Sequence, residues 1–169
     1  RTLELAQKLY IEGITSYPRT SSQKLPKELN LKNILENLSK SPQYKELTEK
    51  VKKVNPSLKP NEGKKEDPAH PAIHPTGELP KNIGDQERKL YDLIVKRFFA
   101  IFGKPAIRET NTITISIENH NFILKGTRTI EKNWHELYEP YLKFEEVQLP
   151  PLEKGNEVKN KKIEDIKKE

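Results

Sequence analysis

The sequence contains no cysteine, no methionine and only one tryptophan. Without cysteine the chain forms neither disulfides nor thiolate-ligated zinc sites. No apolar run approaches the roughly 20 residues of a membrane-spanning helix, and no signal-peptide pattern is present. A complete translated chain starts with methionine, whereas this one starts with Arg1. The sequence therefore predicts an internal piece of a larger, cytoplasmic protein, carrying part of any site. Apolar residues are also scarce, at 33% of 169, and charged residues match them at 33%. That is a thin core for the length. It predicts an extended piece whose surfaces meet something else. The formal charge of +6 is compatible with a nucleic-acid partner without establishing one.

Hydrophobic periodicity divides what is present into two regimes. Residues 2–12 read as a helix, with Leu3, Ala6 and Tyr10 in one stripe, Leu5 and Leu9 beside it, and Gly13 at its end. Pro26 fits the start of a short helix carrying Leu29, Ile34, Leu35 and Leu38. Ser41-Pro42 reads as a cap followed by proline at the first helical position. Tyr44, Leu47, Val51 and Val54 mark the helix it starts. Residues 55–81 hold six prolines and two glycines and read as a loop. The stretch "DQERKLYDLIVKRFFAIFG" is the clearest helix, closed by Gly103.

After Lys104-Pro105 the period changes to two. "TNTITISIENHNFILKGTRTI" alternates through Ile113, Ile115 and Ile117, turns at "ENHN", and resumes with Phe122 and Leu124. It predicts a β-hairpin with one buried face. "WHELY" reads as a short helical turn, and a further strand is expected near Val158. The fold class is thus α+β, with 1–103 mostly helical, 104–150 β-rich, and 151–169 the start of another segment or an exposed tail.

The stretch "LYIEGITSYPRTSSQKLP", residues 9–26, places Tyr17 in a polar turn beyond the first helix. A phenol is a poor nucleophile at neutral pH, since it ionises only near pH 10. A cation at about 4 Å favours phenolate by roughly 4 kcal/mol at an effective dielectric near 20, before desolvation and screening. Arg19 is in range to supply some of that. Its planar fork also suits a phosphate, held at two oxygens as charge develops on phosphorus. The pair suits attack on a phosphodiester to give a phosphotyrosyl ester, an exchange that reverses without ATP. A Tyr-Pro-Arg-Thr string in a loop is most often only a turn, with a packed ring and a wet hydroxyl.

"DPAHPAIHPTG", residues 67–77, sets His70 and His74 four apart. On a helix that spacing would make a metal pair, but Pro71 and Pro75 break any helix and no third ligand stands near. They remain loop histidines or phosphate contacts on a proline-stiffened segment.

Five strings in order carry a resemblance. "LYIEGITSYPRTSSQKLP" resembles the active-site segment of type IA DNA topoisomerases, and most closely the archaeal forms. "AHPAIHPTG" is similar to the family's second segment, "ERKLYDLIVKRFFAIFGKPAIRE" to the helix ending the tyrosine-bearing domain, "FILKGTRTIEKNWHELY" to the strand and turn that follow, and "LPPLEKGNEV" to the next family string.

The resemblance implies a winged-helix-like tyrosine domain over 1–103 and part of a β-rich arch over 104–150. Tyr17 would attack single-stranded DNA and become joined to the 5′-phosphate, with Arg19 binding the scissile phosphate. His70 would lie near that phosphate. His74, Thr20, Ser21 and Ser22 complete the expected DNA-binding set. His74 stands where the family usually has arginine, Pro71 where it has glutamate, and Ser21 where many bacterial members have aspartate. The roles of those three stay open.

The implied enzyme relaxes negative supercoils with DNA and the remaining parent domains as partners, and with no membrane. Its magnesium would be held by an acidic domain outside this chain, which has no Asp-x-Asp pair and no metal ligands of its own. The piece alone would be inactive. A reverse gyrase parent and a non-catalytic winged-helix DNA-binding module remain as alternatives. A tyrosine recombinase is disfavoured, because its arginines and histidines precede the tyrosine.

Overall fold

The computed structural model describes residues 1–67 and 69–159. Its elements run α1 (Thr2–Ile11), α2 (Leu31–Leu38), α3 (Pro42–Val54), α4 (Asp85–Ala100), β1 (Ile107–Ile117), β2 (His120–Glu131) and α5 (Trp134–Tyr138). The composition is mixed helix and strand, an α+β arrangement. Contacts divide it into two units. The first comprises 1–106 and 132–143, the second 107–131 and 144–169. Residues 132–143 thus fall in the helical unit.

In the helical unit the core forms where the periodic positions converge. Leu9, Ile14, Ile34, Leu35, Leu38, Val51, Val95, Phe98, Phe99 and Phe102 are all buried there. The first helix buries less than its sequence stripe suggests. Ala6 and Leu9 face inward, while Leu3 and Tyr10 stay exposed. Helix α1 ends in a Schellman motif. Gly13 N donates to Tyr10 O at 2.9 Å and Ile14 N to Leu9 O at 3.1 Å. The motif requires a left-handed residue, which Gly13 supplies at φ +70°. Ile14 and Leu9, the pair this motif brings together, both enter the core.

The second helix corrects the sequence reading. It starts at Leu31, not at Pro26, because the Asn30 side chain accepts from Asn33 N at 3.0 Å. That bond satisfies an amide the helix leaves free. Pro26 instead accepts from Leu29 N at 3.1 Å in a preceding turn. Pro42 does occupy the first turn of α3 after Ser41.

Asp92 on α4 is a buried carboxylate, 9% exposed. It accepts from Gln43 Nε2 at 2.6 Å, Tyr44 Oη at 3.1 Å and Tyr141 Oη at 2.7 Å. Lys96 lies 3.3 Å away. Burial first, and the Asp92 charge second, push the Tyr44 phenol far above its usual range, so it stays a donor. The hub fastens α3 and the 138–143 segment to α4. Trp134 and Tyr138 pack beside the core of the helical unit. Arg97 lies over both rings, at 5.9 and 5.6 Å from their centroids.

In the second unit, β1 and β2 form one antiparallel pair with Ile113 opposite Leu124 and Ile115 opposite Phe122. The alternation is as expected, but the buried face is not. The three isoleucines are only partly covered, and Phe122 and Leu124 remain 42% and 39% exposed. A two-stranded sheet has no second layer of its own, and an extended segment after 144 supplies only partial cover. Leu149 and the Val147 carbonyl cross at Gly126, where a Cβ would come within 2.5 Å of both. The turn is tighter than "ENHN", since Glu118 and Asn119 alone connect the strands. The strand expected near Val158 is absent among the described residues. Pro150 and Pro151 have no amide hydrogen to extend a ladder. Positions 160–169 of the expected tail lie outside the described residues.

Candidate active site

The tyrosine turn is held by its backbone. Ser16 N donates to His74 O at 2.9 Å and Thr76 N to Ile14 O at 3.2 Å, around an isolated bridge between Thr15 and Pro75. Side chains tighten the pairing. Ser16 Oγ accepts from His74 N at 2.9 Å, and Thr76 Oγ1 donates to Gly13 O at 2.7 Å. Further along, Ala72 N donates to Lys24 O and Gln23 N to Lys65 O, each at 2.8 Å. The proline-rich loop therefore runs beside residues 13–25, although the two are about fifty residues apart in sequence.

This pairing brings three rings together. Tyr17 is half-buried, and its ring centroid lies 5.3 Å from Tyr10, edge-on, and 5.5 Å from His70. Thr20 Oγ1 donates to His70 O and accepts from Ser22 N at 3.0 Å, which ties the turn to the histidine loop. His70 is exposed, and its Nδ1 lies 3.5 Å from Asp67 Oδ2. Arg19 and Ser21 are exposed. Arg19 has no carboxylate within ion-pair distance among the described residues.

The remaining expected contacts are structural in their surroundings. Ser22 is buried, and its Oγ accepts from Lys24 N at 3.2 Å. His74 is 7% exposed, with Nδ1 2.9 Å from Ala72 O. Burial lowers its pKa, and the contact with Ala72 O opposes that only in part. A neutral ring with its proton on Nδ1 suits this position. His74 is therefore turned into the loop packing, and His70 is the histidine that meets Tyr17. Among the described residues no group of three or more His, Cys, Asp or Glu is placed to hold a metal ion. Arg97 belongs to the aromatic stack described above.

Two residues escaped the sequence reading. Tyr10 was counted in an apolar stripe, and only the helix-ending turn brings it onto Tyr17. Asp67 carried a usable signal, since an aspartate opening a proline-containing turn bonds to amides two and three residues on.

The sequence model of a DNA topoisomerase family matches residues 1–169. The chain belongs to the DNA topoisomerase family. Its sequence is 52% identical over 161 residues to DNA topoisomerase 1 of Pyrococcus horikoshii, covering 94% of this chain and 23% of that protein. DNA topoisomerase 1 of Methanocaldococcus jannaschii is 46% identical over 99% of this chain and 22% of its own length. Human DNA topoisomerase 3-alpha is 32% identical over 96% and 16%. The chain thus spans less than a quarter of the length of these relatives.

Proposed function

We propose that this chain is the tyrosine-bearing part of a type IA DNA topoisomerase, and that Tyr17 is its nucleophile. The observation that carries the reading is the Tyr17 ring beside exposed His70, with exposed Arg19, which has no carboxylate partner among the described residues, two residues on. The helical unit then corresponds to the tyrosine-bearing, winged-helix-like domain, and the hairpin to part of the arch.

The reaction is a transesterification within single-stranded DNA. Tyr17 Oη attacks phosphorus and loses its proton, the bond from phosphorus to the 3′ oxygen breaks, and that oxygen leaves as a hydroxyl after gaining a proton. The product is a 5′-phosphotyrosyl ester. One phosphodiester replaces another, so attack by the 3′ hydroxyl reseals the strand without a cofactor supplying energy. Arg19 binds two phosphate oxygens, and its value grows as charge shifts onto them in the transition state. Strand passage through the open break would relax negative supercoils. Among the described residues no group of carboxylates is placed to hold a metal ion, and the reading assigns the parent's magnesium to residues outside this chain.

The test is an adduct assay with the parent enzyme, magnesium and single-stranded DNA labelled at its 3′ end. Wild type is expected to give a labelled protein–DNA band on a denaturing gel, and Tyr17→Phe none. An adduct from Tyr17→Phe would place the nucleophile elsewhere. DNA binding with no adduct from any sample would favour a non-catalytic DNA-binding module.

A further inference from the structure

Asp67 has two oxygens with two separate tasks. Oδ1 accepts from Ala69 N at 3.0 Å and from His70 N at 3.3 Å, which closes the turn. Oδ2 lies 3.5 Å from His70 Nδ1. The first task is ordinary for an aspartate in a loop and would be served equally by asparagine. The second is not needed for the turn at all. It puts a carboxylate near one nitrogen of an exposed ring whose centroid lies 5.5 Å from that of Tyr17.

We infer that Asp67 is a positioning residue for the strand-cleavage reaction. It holds the His70 proton on Nδ1 and fixes the ring, so that Nε2 is the nitrogen offered to the scissile phosphate and Tyr17 Oη. This rests on the reading of Tyr17 as nucleophile. Which nitrogen of a histidine carries the proton is set by what the other meets. A carboxylate accepts a hydrogen bond from Nδ1–H and cannot donate one, so of the two neutral tautomers only one is compatible with Oδ2. Nε2 has no partner among the described residues and is left for the substrate.

One feature supports the arrangement over a chance approach. The His70 carbonyl is held from the other side by Thr20 Oγ1, so the residue is fixed at both its backbone and its ring. The Nδ1–Oδ2 separation of 3.5 Å is longer than a formed hydrogen bond. Catalytic contacts of free enzymes are commonly loose in this way and tighten when substrate arrives.

The informative variant is Asp67→Asn in the parent enzyme. Asparagine keeps an oxygen for the two amides, so the turn closes. At the second position it presents either an amide N–H, which cannot accept from Nδ1–H, or nothing. The expected result is adduct formation slowed about tenfold to a hundredfold, with non-covalent binding of single-stranded DNA changed less than about twofold. A ¹⁵N spectrum of histidine-labelled enzyme supplies a direct readout. The resonance lost in His70→Gln should report the Nδ1-protonated ring in wild type, and a shift to the other tautomer in Asp67→Asn. Tyr17→Phe runs alongside.

Loss of the adduct in Tyr17→Phe together with a wild-type rate in Asp67→Asn would overturn the role of Asp67 and leave the nucleophile in place. An equal fall of binding and rate would overturn it as well, because Asp67 would then be only a loop support. Persistence of the adduct in Tyr17→Phe would remove both readings together.

Discussion

Replacing Thr20 with valine tests whether the tyrosine turn and the histidine loop work as one assembly. The shapes match, and only the hydroxyl is lost. That hydroxyl joins two segments, donating to His70 O and accepting from Ser22 N at 3.0 Å. A hydrogen bond contributes about 0.5–1.5 kcal/mol net, and Thr20 is half-exposed, so water replaces part of each. The two together come to about 1–2 kcal/mol. The loop would not detach, since the bonds of Ser16, Thr76 and Ala72 to their partners across the same pairing remain. The loss therefore falls on the local placement of His70 against Tyr17. At about 1.4 kcal/mol per factor of ten, adduct formation by the parent should slow by roughly 5- to 30-fold. Melting temperature should fall by only a few degrees. Thr20→Ser keeps the hydroxyl and should recover the rate to within about threefold. Wild-type kinetics in Thr20→Val would refute the argument, and so would a serine variant as slow as the valine one.

Other consequences are more limited in scope. Asp92→Ala should cost this chain about 2–4 kcal/mol in urea unfolding, because it strands the donors of Gln43, Tyr44 and Tyr141 and the charge of Lys96. In that background Tyr141→Phe should add almost nothing, since its acceptor is already gone. The lowered pKa of buried His74 has a definite sign. The unfolded chain takes up a proton near the ordinary value of 6.5 and the folded chain only at lower pH, so this contribution is complete above pH 6.5 and is lost as pH falls through the folded value. Thermal melts between pH 7.5 and 5 should show the decline, and His74→Gln should flatten it. Gly13→Ala should cost about 1 kcal/mol, measured by denaturant midpoint, because its φ of +70° strains a Cβ that meets no other atom within 4 Å.

The sequence was most readable where burial and chain period agree. Helix α4 repeats its apolar positions for four turns between Gly84 and Gly103, so its limits were plain. Helix α2 was harder, since Pro26 and Asn30 both open helices by residue type, and only the bond to Asn33 N distinguishes them. The strand alternation gave the hairpin. It could not give the burial of its face, which depends on what another segment lays across it. His74 was unreadable for a related reason. A polar residue in a proline-rich loop has no period, so nothing in the string says that it turns inward while His70, four residues earlier, turns out. Both facts follow from the pairing of residues 14–16 with 74–76, a contact between segments far apart in the chain.

That pairing also explains how a loop can carry precise chemistry. Along the turn Ile14, Thr15, Pro18 and Ser22 are buried, whereas Arg19 and Ser21 are exposed and Tyr17 is between. Backbone anchors therefore alternate with outward side chains. Pro18 fixes φ between Tyr17 and Arg19, and the Schellman turn fixes the chain before them. Tyr17 and Arg19 are free to meet a phosphate, while the atoms that carry them are not free to drift. For the proposed transesterification, which would run in both directions with a strand held open between them, this is the useful division. A mobile nucleophile would lose orientation at each resealing, and orientation is the part of the barrier that a fixed backbone removes.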